Sequence, residues 1–275
     1  MRPIFQSWTF ESVLIDDHGG VVERRPHSGQ LAVFDLGHGV QLELAAVPGG
    51  GFQMGASAGA EEERPAHRVS LAPFWLARHL VTQAQWQAVM GGQLPCRFRG
   101  PDLPVENVAW AEAQRFCERL TRRAGWRFHL PSEAQWEYAG RAGTTTPFAY
   151  GPTLTTELAN YCGEHAFPAG APRAVVAGLY RHTTTPAGRF PPNAFGLSDM
   201  HGNLWEWTAD TWHASYHGAP ADGSAWTSGG ESQCRVVRGG SWHDVPDACR
   251  SAARARFEAA AGDDLVGFRV AAAPA

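Results

Sequence analysis

Glycine and proline interrupt this chain so often that few long stretches of regular structure fit between them, with 31 Gly and 19 Pro among 275 residues. Both residues set turns, glycine by tolerating positive φ and proline by fixing φ near −65°. Eleven tryptophans accompany them, each bringing a large apolar area and an N–H that needs an acceptor when buried. Many ordered loops, little repetitive structure and an aromatic-rich core follow from this combination. A domain of this length buries about 75% of its unfolded surface, so one large core can be filled. The formal charge is −4, from 23 basic and 27 acidic side chains. That balance offers no basic stripe for nucleic acid, and no apolar run approaches the roughly 18 residues of a membrane helix. The first residues, MRPIFQSWTFESVLIDD, hold no apolar block and no small-residue cleavage site, so no signal peptide is read. The five cysteines (Cys96, Cys117, Cys162, Cys234 and Cys249) form no CxxC and no Cys/His cluster. Free thiols in a reducing compartment are expected, hence a cytoplasmic location; the protein is expected to be a monomer, without membrane or nucleic-acid contacts.

Local patterns give the elements. Residues 1–45 read as short strands, with Phe10, Val13, Ile15 and Val21-Val22 flanking a turn at Asp17-His18-Gly19-Gly20. A second hairpin is centred on Gly37-His38-Gly39. The glycine-rich stretch 47–55 lacks the GxxxxGK[ST] pattern, so no phosphate loop is read there. A first helix is predicted over Thr82–Met90, where Thr82 and Gln85 make a capping box and Val81 and Trp86 a hydrophobic staple. A second runs from about Val108 to Ala124, with Ala113, Phe116, Cys117 and Leu120 on one buried stripe. A third opens at Ser132, capped by Gln135, and stops at Gly140 or Gly143. Beyond residue 143 periodicity fades into long loops, and short strands resume at 234–238 and 267–272. A few helices followed by loops and short strands make the fold class α+β.

Several segments in fixed order then carry a resemblance. They are GGGFQMG (49–55), ERPAHRVSLAPFWLARHLVTQAQW (63–86), LPVENVAWAEAQRFCERL (103–120), FHLPSEAQWEYAGRAG (128–143), FPPNAFGLSDMHGNLWEWTAD (190–210), VVRGGSW (236–242) and GFRVA (267–271). Together they resemble the formylglycine-generating (sulfatase-modifying) family over residues 40–271. The resemblance implies a C-type-lectin-like fold of the formylglycine-generating-enzyme type, with few helices, short strands and many ordered loops. It would occupy residues 40–275, with residues 1–39 a strand/hairpin extension packed on it.

The family includes copper-dependent oxidases that convert a sulfatase cysteine to formylglycine, iron-dependent sulfoxide synthases and non-catalytic binders. The oxidase chemistry requires two neighbouring thiolates, a soft pair that holds Cu(I). In the family both cysteines follow the GGS-aromatic motif. Here Cys249 stands at the second position, but Asp244 stands at the first, and a carboxylate is a poor Cu(I) ligand. Cys234 is a candidate to supply the missing thiol from another strand. No catalytic residue is therefore assigned; a metal-dependent oxidase acting through Cys249, with Ser241 beside it, is the alternative. The iron route requires clustered histidines on a helix, whereas His18, His27 and His38 lie in turn-like stretches. Neither copper nor iron is expected, and His67 reads as a structural hydrogen-bonding residue.

The last segment, 237–275, resembles the variable cassette of proteins diversified by retroelements. Its fixed parts are the RGGSW motif, Pro246, Cys249 to Ala252, Arg254, Arg256 and the GFRV motif. Its open slots hold His243, Asp244, Val245, Asp247, Ala248, Ala253, Ala255 and Phe257. All of these residues are reachable by randomising the adenines of an AAC codon; Glu258 is not. Asp263 and Asp264 would join the same face. The resemblance implies a non-catalytic ligand-binding protein displaying a diversified C-terminal surface. Its partner would be an unidentified protein, basic or amphipathic to match the acidic and aromatic slots. A reverse transcriptase and an accessory factor would act on the gene. A fixed regulatory interaction module of the same fold is a further reading. The family also binds structural calcium through a Gly-Asn-x-Trp-Glu segment, chemistry suited to a hard cation. Gly202 to Glu206 matches it, making Asn203 and Glu206 candidate ligands. A second family site would start at Asn160 with the Tyr161 carbonyl, but no clear aspartate follows near Gly178-Leu179-Tyr180.

Overall fold

The computed structural model of the chain describes residues 1–168 and 178–274. The first two strands, β1 (Ile4–Ile15) and β2 (Val21–Gly37), are far longer than the composition predicts. Glycine punctuation is uneven, and none precedes Gly19, so this hairpin runs in continuous register from Ile4↔Val33 to Leu14↔Glu23. Its turn lies where the sequence puts it. The Asp16 carboxylate accepts the amides of His18 and Gly20, and Gly19 adopts φ 81°. After it come β3 (Val40–Val47), β4 (Gly50–Met54), β5 (His67–Leu71), β6 (Phe74–Ala77), α1 (Gln83–Met90), α2 (Trp110–Ala124), β7 (Trp126–His129), α3 (Glu133–Arg141), β8 (Trp205–Trp212), β9 (Glu231–Arg238), β10 (Arg254–Glu258), β11 (Val266–Gly267) and β12 (Ala271–Pro274).

Among the described residues three sheets result: six strands in the order β1-β2-β3-β6-β12-β7, four in the order β10-β9-β8-β11, and the pair β4-β5. The main core lies where α1 and α2 meet both larger sheets. Phe34, Leu42 and Leu44 from the six-stranded sheet pack with Trp86, Phe116 and Leu120 of the helices and with Trp207 of β8. Phe268 completes the packing, its ring lying edge-on to both Trp86 and Phe116. Residues 1–39 enter this core too, since β2 pairs with β3 from Leu31↔Ala45 to Gly37↔Val40.

The helix signals are local and mostly translate into structure. Thr82 and Gln85 form the reciprocal capping box of α1. In α2 the stripe Ala113, Phe116, Cys117 and Leu120 is buried, although the helix starts at Trp110 rather than Val108. Of the two stops expected for α3, Gly140 lies inside the helix, while Gly143, at φ 91°, directly follows the C-cap Ala142, itself left-handed at φ 46°. A Cβ at Gly140 would make ordinary contact, 3.4 Å from both Met200 and the Trp136 ring. The strand expected over 267–272 is broken into β11 and β12. Between them Arg269 turns inward to a buried carboxylate, and the Phe268 and Val270 carbonyls accept amides from Val81 and Ala77. Strand β8 went unread because nearly all its residues are buried, so the alternation that marks a half-exposed strand is missing.

The two caps differ in one respect. Thr82 Oγ1 accepts only the Gln85 amide, at 3.2 Å. Ser132 Oγ accepts the Gln135 amide at 3.0 Å and also donates to the Gly223 carbonyl at 2.7 Å. Losing a cap costs about 1 kcal/mol, and leaving a buried carbonyl unpaired adds about 1 kcal/mol or more. Urea denaturation should therefore show Thr82→Ala destabilised by about 1 kcal/mol and Ser132→Ala by about 2 kcal/mol. Equal losses would mean the Gly223 tether contributes nothing.

Candidate ligand-binding site

Strand β9 delivers Arg238 into the interior, where it is fully buried. It pairs with Glu137 and Glu133 and donates to the Ser251 and Ala253 carbonyls. This arginine pins both ends of the segment that follows it. Gly239 and Gly240 adopt φ 100° and 75°. A Cβ at Gly240 would lie 2.5 Å from the Cys249 sulfur, so the loop closes over the thiol only with glycine there.

Asp244, at the position of the family's first cysteine, is already engaged. Its Oδ2 accepts the Ser241 amide at 3.0 Å, the Ser241 hydroxyl at 2.5 Å and the Trp205 indole N–H at 2.9 Å. Cys249 is completely buried, with its sulfur 3.8 Å from the Val245 carbonyl. Burial, reinforced by the carboxylates of Asp244 and Asp247, pushes its thiol well above the ordinary cysteine range, so it stays protonated. All five cysteines are free thiols. Cys234 lies on β9 opposite Glu258 of β10 and contributes nothing to this loop. Cys162, which sequence reasoning left unassigned, is brought to it instead, its amide donating to the Asp244 carbonyl at 2.8 Å.

The slots fall into three environments. His243 and Val245 are exposed, Val245 by 39%. Asp247, Ala248, Ala255 and Phe257 are half-buried; the last three pack at the edge of the main core, with Phe257 edge-on to Trp207. Asp263 and Asp264 are half-buried as well. Asp263 accepts the Leu265 amide at 2.8 Å, and Asp264 pairs with Arg97 at 2.5 Å. Two slots do not belong to a display surface. Ala253 is 5% exposed, its carbonyl held by Arg238, and Asp244 spends its carboxylate on closing the loop. Residues remote in sequence join the exposed ones. The Tyr180 hydroxyl lies 2.5 Å from His243 Nδ1, the His182 ring lies tilted by 36° against Tyr180 with centroids 3.7 Å apart, and Phe98 meets Trp242 edge-on at 5.6 Å. No local signal links these segments, which is why the sequence alone missed them.

The proposed calcium ligands are occupied by protein. Both oxygens of Glu206 accept from Arg269, at 2.6 Å each, in a fully buried pair. Asn203 Oδ1 accepts from Asn160 Nδ2 at 3.1 Å and from the Thr185 amide at 2.9 Å. Asn160 Oδ1 and the Thr184 and Thr185 hydroxyls are buried without a partner among the described residues. These are neutral oxygens, and among the described residues no group of three or more His, Cys, Asp or Glu could hold a metal. A donor set whose one carboxylate is clamped by an arginine does not fit calcium, which needs anionic oxygens to offset its dehydration. The neighbouring His201 accepts the Ala149 amide on Nε2 and donates from Nδ1 to the Cys249 carbonyl. Burial pushes its pKa down to about 4, so it is a neutral tether.

Comparison with known proteins bears on this geometry. The family model described as sulfatase-modifying factor enzyme 1-like domain matches residues 40–274. The formylglycine-generating enzyme of Mycobacterium tuberculosis is 28% identical, over 84% of this chain and 98% of that protein. The solved structure of PvdO from Pseudomonas aeruginosa is 32% identical with a TM-score of 0.72, covering 88% of this chain and 97% of its own. That of variable protein 1 from Treponema denticola is 25% identical with a TM-score of 0.73, covering 88% and 98%.

Removing one partner of a buried ion pair strands the other charge, at a cost of about 3–5 kcal/mol. Glu206→Gln should lose that much stability by urea denaturation, whereas the double replacement Glu206→Leu/Arg269→Met should lose less because both charges leave together. Calcium added to the wild-type protein should not move Tm. A rise of several degrees with calcium, abolished by Glu206→Gln, would show that the carboxylate is a metal ligand after all.

Proposed function

Because the chain belongs to the sulfatase-modifying factor enzyme 1-like family, its function turns on whether the paired-thiolate chemistry survives, and we propose that it does not. The protein is a non-catalytic ligand-binding protein, and its cassette 237–275 forms the contact surface. One observation carries this reading: the Asp244 carboxylate is consumed by Ser241 and Trp205, and Cys249 is an enclosed and protonated thiol. A cuprous ion needs two accessible soft donors. The contact surface centres on His243 and Val245 and takes in Asp247, Ala248, Ala255, Phe257, Asp263 and Asp264. Its acidic and apolar mixture suits a protein segment with basic and aliphatic side chains, met by a monomer in the cytoplasm. The likeness to Treponema denticola variable protein 1, together with the codon classes of the slots, supports diversification of this surface. The oxidase reading draws on the relationship to the Mycobacterium tuberculosis enzyme and on Cys162 lying beside Asp244.

Two experiments test the proposal. Titration with Cu(I) against a chromophoric chelator should show no stoichiometric retention, and an oxygen electrode should show no consumption with a cysteine-bearing peptide. Equimolar copper held by the wild type and lost in Cys249→Ser or Cys162→Ser would establish the oxidase instead. Sequencing the locus should reveal a near-copy of codons 237–275 beside a reverse-transcriptase gene, differing at template adenines. A locus without such a copy would leave a fixed interaction module.

A further inference from the structure

Away from the slots, a cleft of about 720 Å³ opens between β4, the end of α3 and the loop 144–147. Its volume falls within the roughly 300–1,000 Å³ of small-ligand sites. We propose that this cleft binds a neutral saccharide ring. Of the cassette it touches only the fixed residues Arg250 and Ala252, so it stands or falls independently of the surface proposed above.

Three aromatic rings form the floor. Phe52 and Phe195 flank Tyr138, with centroids 5.4 and 5.6 Å away and planes tilted by 59° and 50°. The tilt makes a concave apolar seat rather than a closed stack. The Tyr138 hydroxyl has no hydrogen-bond partner among the described residues; burial alone acts on it, raising its pKa. It therefore remains a phenol that can both donate and accept. Gly50 keeps the room around it, since a Cβ there would lie 2.6 Å from the phenol oxygen. Uncharged polar side chains, Gln53, Ser57 and Thr145, line the remaining walls.

The two arginines lining the cleft are paired, while the Arg68 guanidinium, which lies against Gly51, has no carboxylate partner among the described residues. Arg141 is paired with Glu137 at 2.8 Å, and Arg250 holds Glu63 in a two-pronged pair at 2.7 and 2.9 Å. The polar side chains of the walls are uncharged and match hydroxyls rather than a second ionic group. A purely apolar ligand would leave the Tyr138 hydroxyl and the polar wall unpaired. The ligand that satisfies both conditions has an apolar face for the tilted rings and neutral hydroxyls around its edge. A pyranose meets that description, and it needs no metal here.

The test is ligand-observed NMR with the intact chain and methyl glycosides of glucose, galactose, mannose and N-acetylglucosamine, in the presence of a calcium chelator. Indole and phenyl phosphate serve as apolar and anionic controls. At least one glycoside should bind, and Tyr138→Phe, which removes only the hydroxyl, should weaken it about tenfold, one hydrogen bond to a neutral group being worth that order. Phe195→Ala, checked for folding by circular dichroism, should abolish the signal. The proposal is overturned if no glycoside binds, if Tyr138→Phe binds as well as wild type, or if either control binds more tightly than every glycoside.

Discussion

Buried arginine–carboxylate pairs hold this loop-rich chain together, and Arg238 is the one on which most depends. It reaches Glu137 and Glu133 of α3 from the end of β9 while holding the Ser251 and Ala253 carbonyls. Arg254 shares Glu133, Arg141 shares Glu137, and the Tyr216 hydroxyl donates to Glu133 at 2.8 Å. One helix face thus carries two carboxylates that three arginines from different segments converge upon. Such a cluster adds little net stability over well-packed apolar residues, because desolvating each charge offsets the attraction. Its effect is on uniqueness. Any other arrangement of the loops would strand a charge in the interior at several kcal/mol.

The same logic separates what the C-terminal segment can vary from what it cannot. Arg238, Arg254 and Arg269 are buried, and each meets a carboxylate contributed by another element. His243 and Val245 meet no such demand, and a substitution there is worth at most a few tenths of a kcal/mol to folding. Among the open slots, Ala253 is an exception alongside Asp244. It has almost no space around its side chain and sits in the grip of Arg238, so a large residue there would disturb the clamp itself.

How much of this was legible in sequence follows from how local each cause is. The capping boxes at Thr82 and Ser132 and the turn closed by Asp16 depend on side chains within four residues, and they were readable. The break at Arg269 depends on Glu206, 63 residues away, and nothing near Arg269 announces it. β8 is buried along most of its length and has no alternation to read. In the candidate site, an aspartate at position 244, where the family resemblance expects a cysteine, was legible because it is a matter of residue type. The use made of that carboxylate was half legible: a serine three residues before an aspartate is a local pattern for mutual closure, whereas the Trp205 indole is brought in only by the fold. The ring cluster of Phe98, Tyr180 and Trp242 joins three distant segments and left no trace in any local pattern.

Asp244 also bears on whether the enzymatic state is within easy reach. Replacing it by cysteine would restore the family's residue type but remove the acceptor of the Ser241 amide and of the Trp205 indole. Each buried donor left unpaired costs about 1–3 kcal/mol, and Trp205 is only 6% exposed, so water could not readily replace the carboxylate. Cys249 would still lie beneath Gly240, with its thiol held protonated. An oxidase needs this loop open, with two thiolates side by side. A binder needs it closed, so that His243 and Val245 project from a fixed base. A single aspartate closes the loop, so on the proposed reading the two states compete for the same residue.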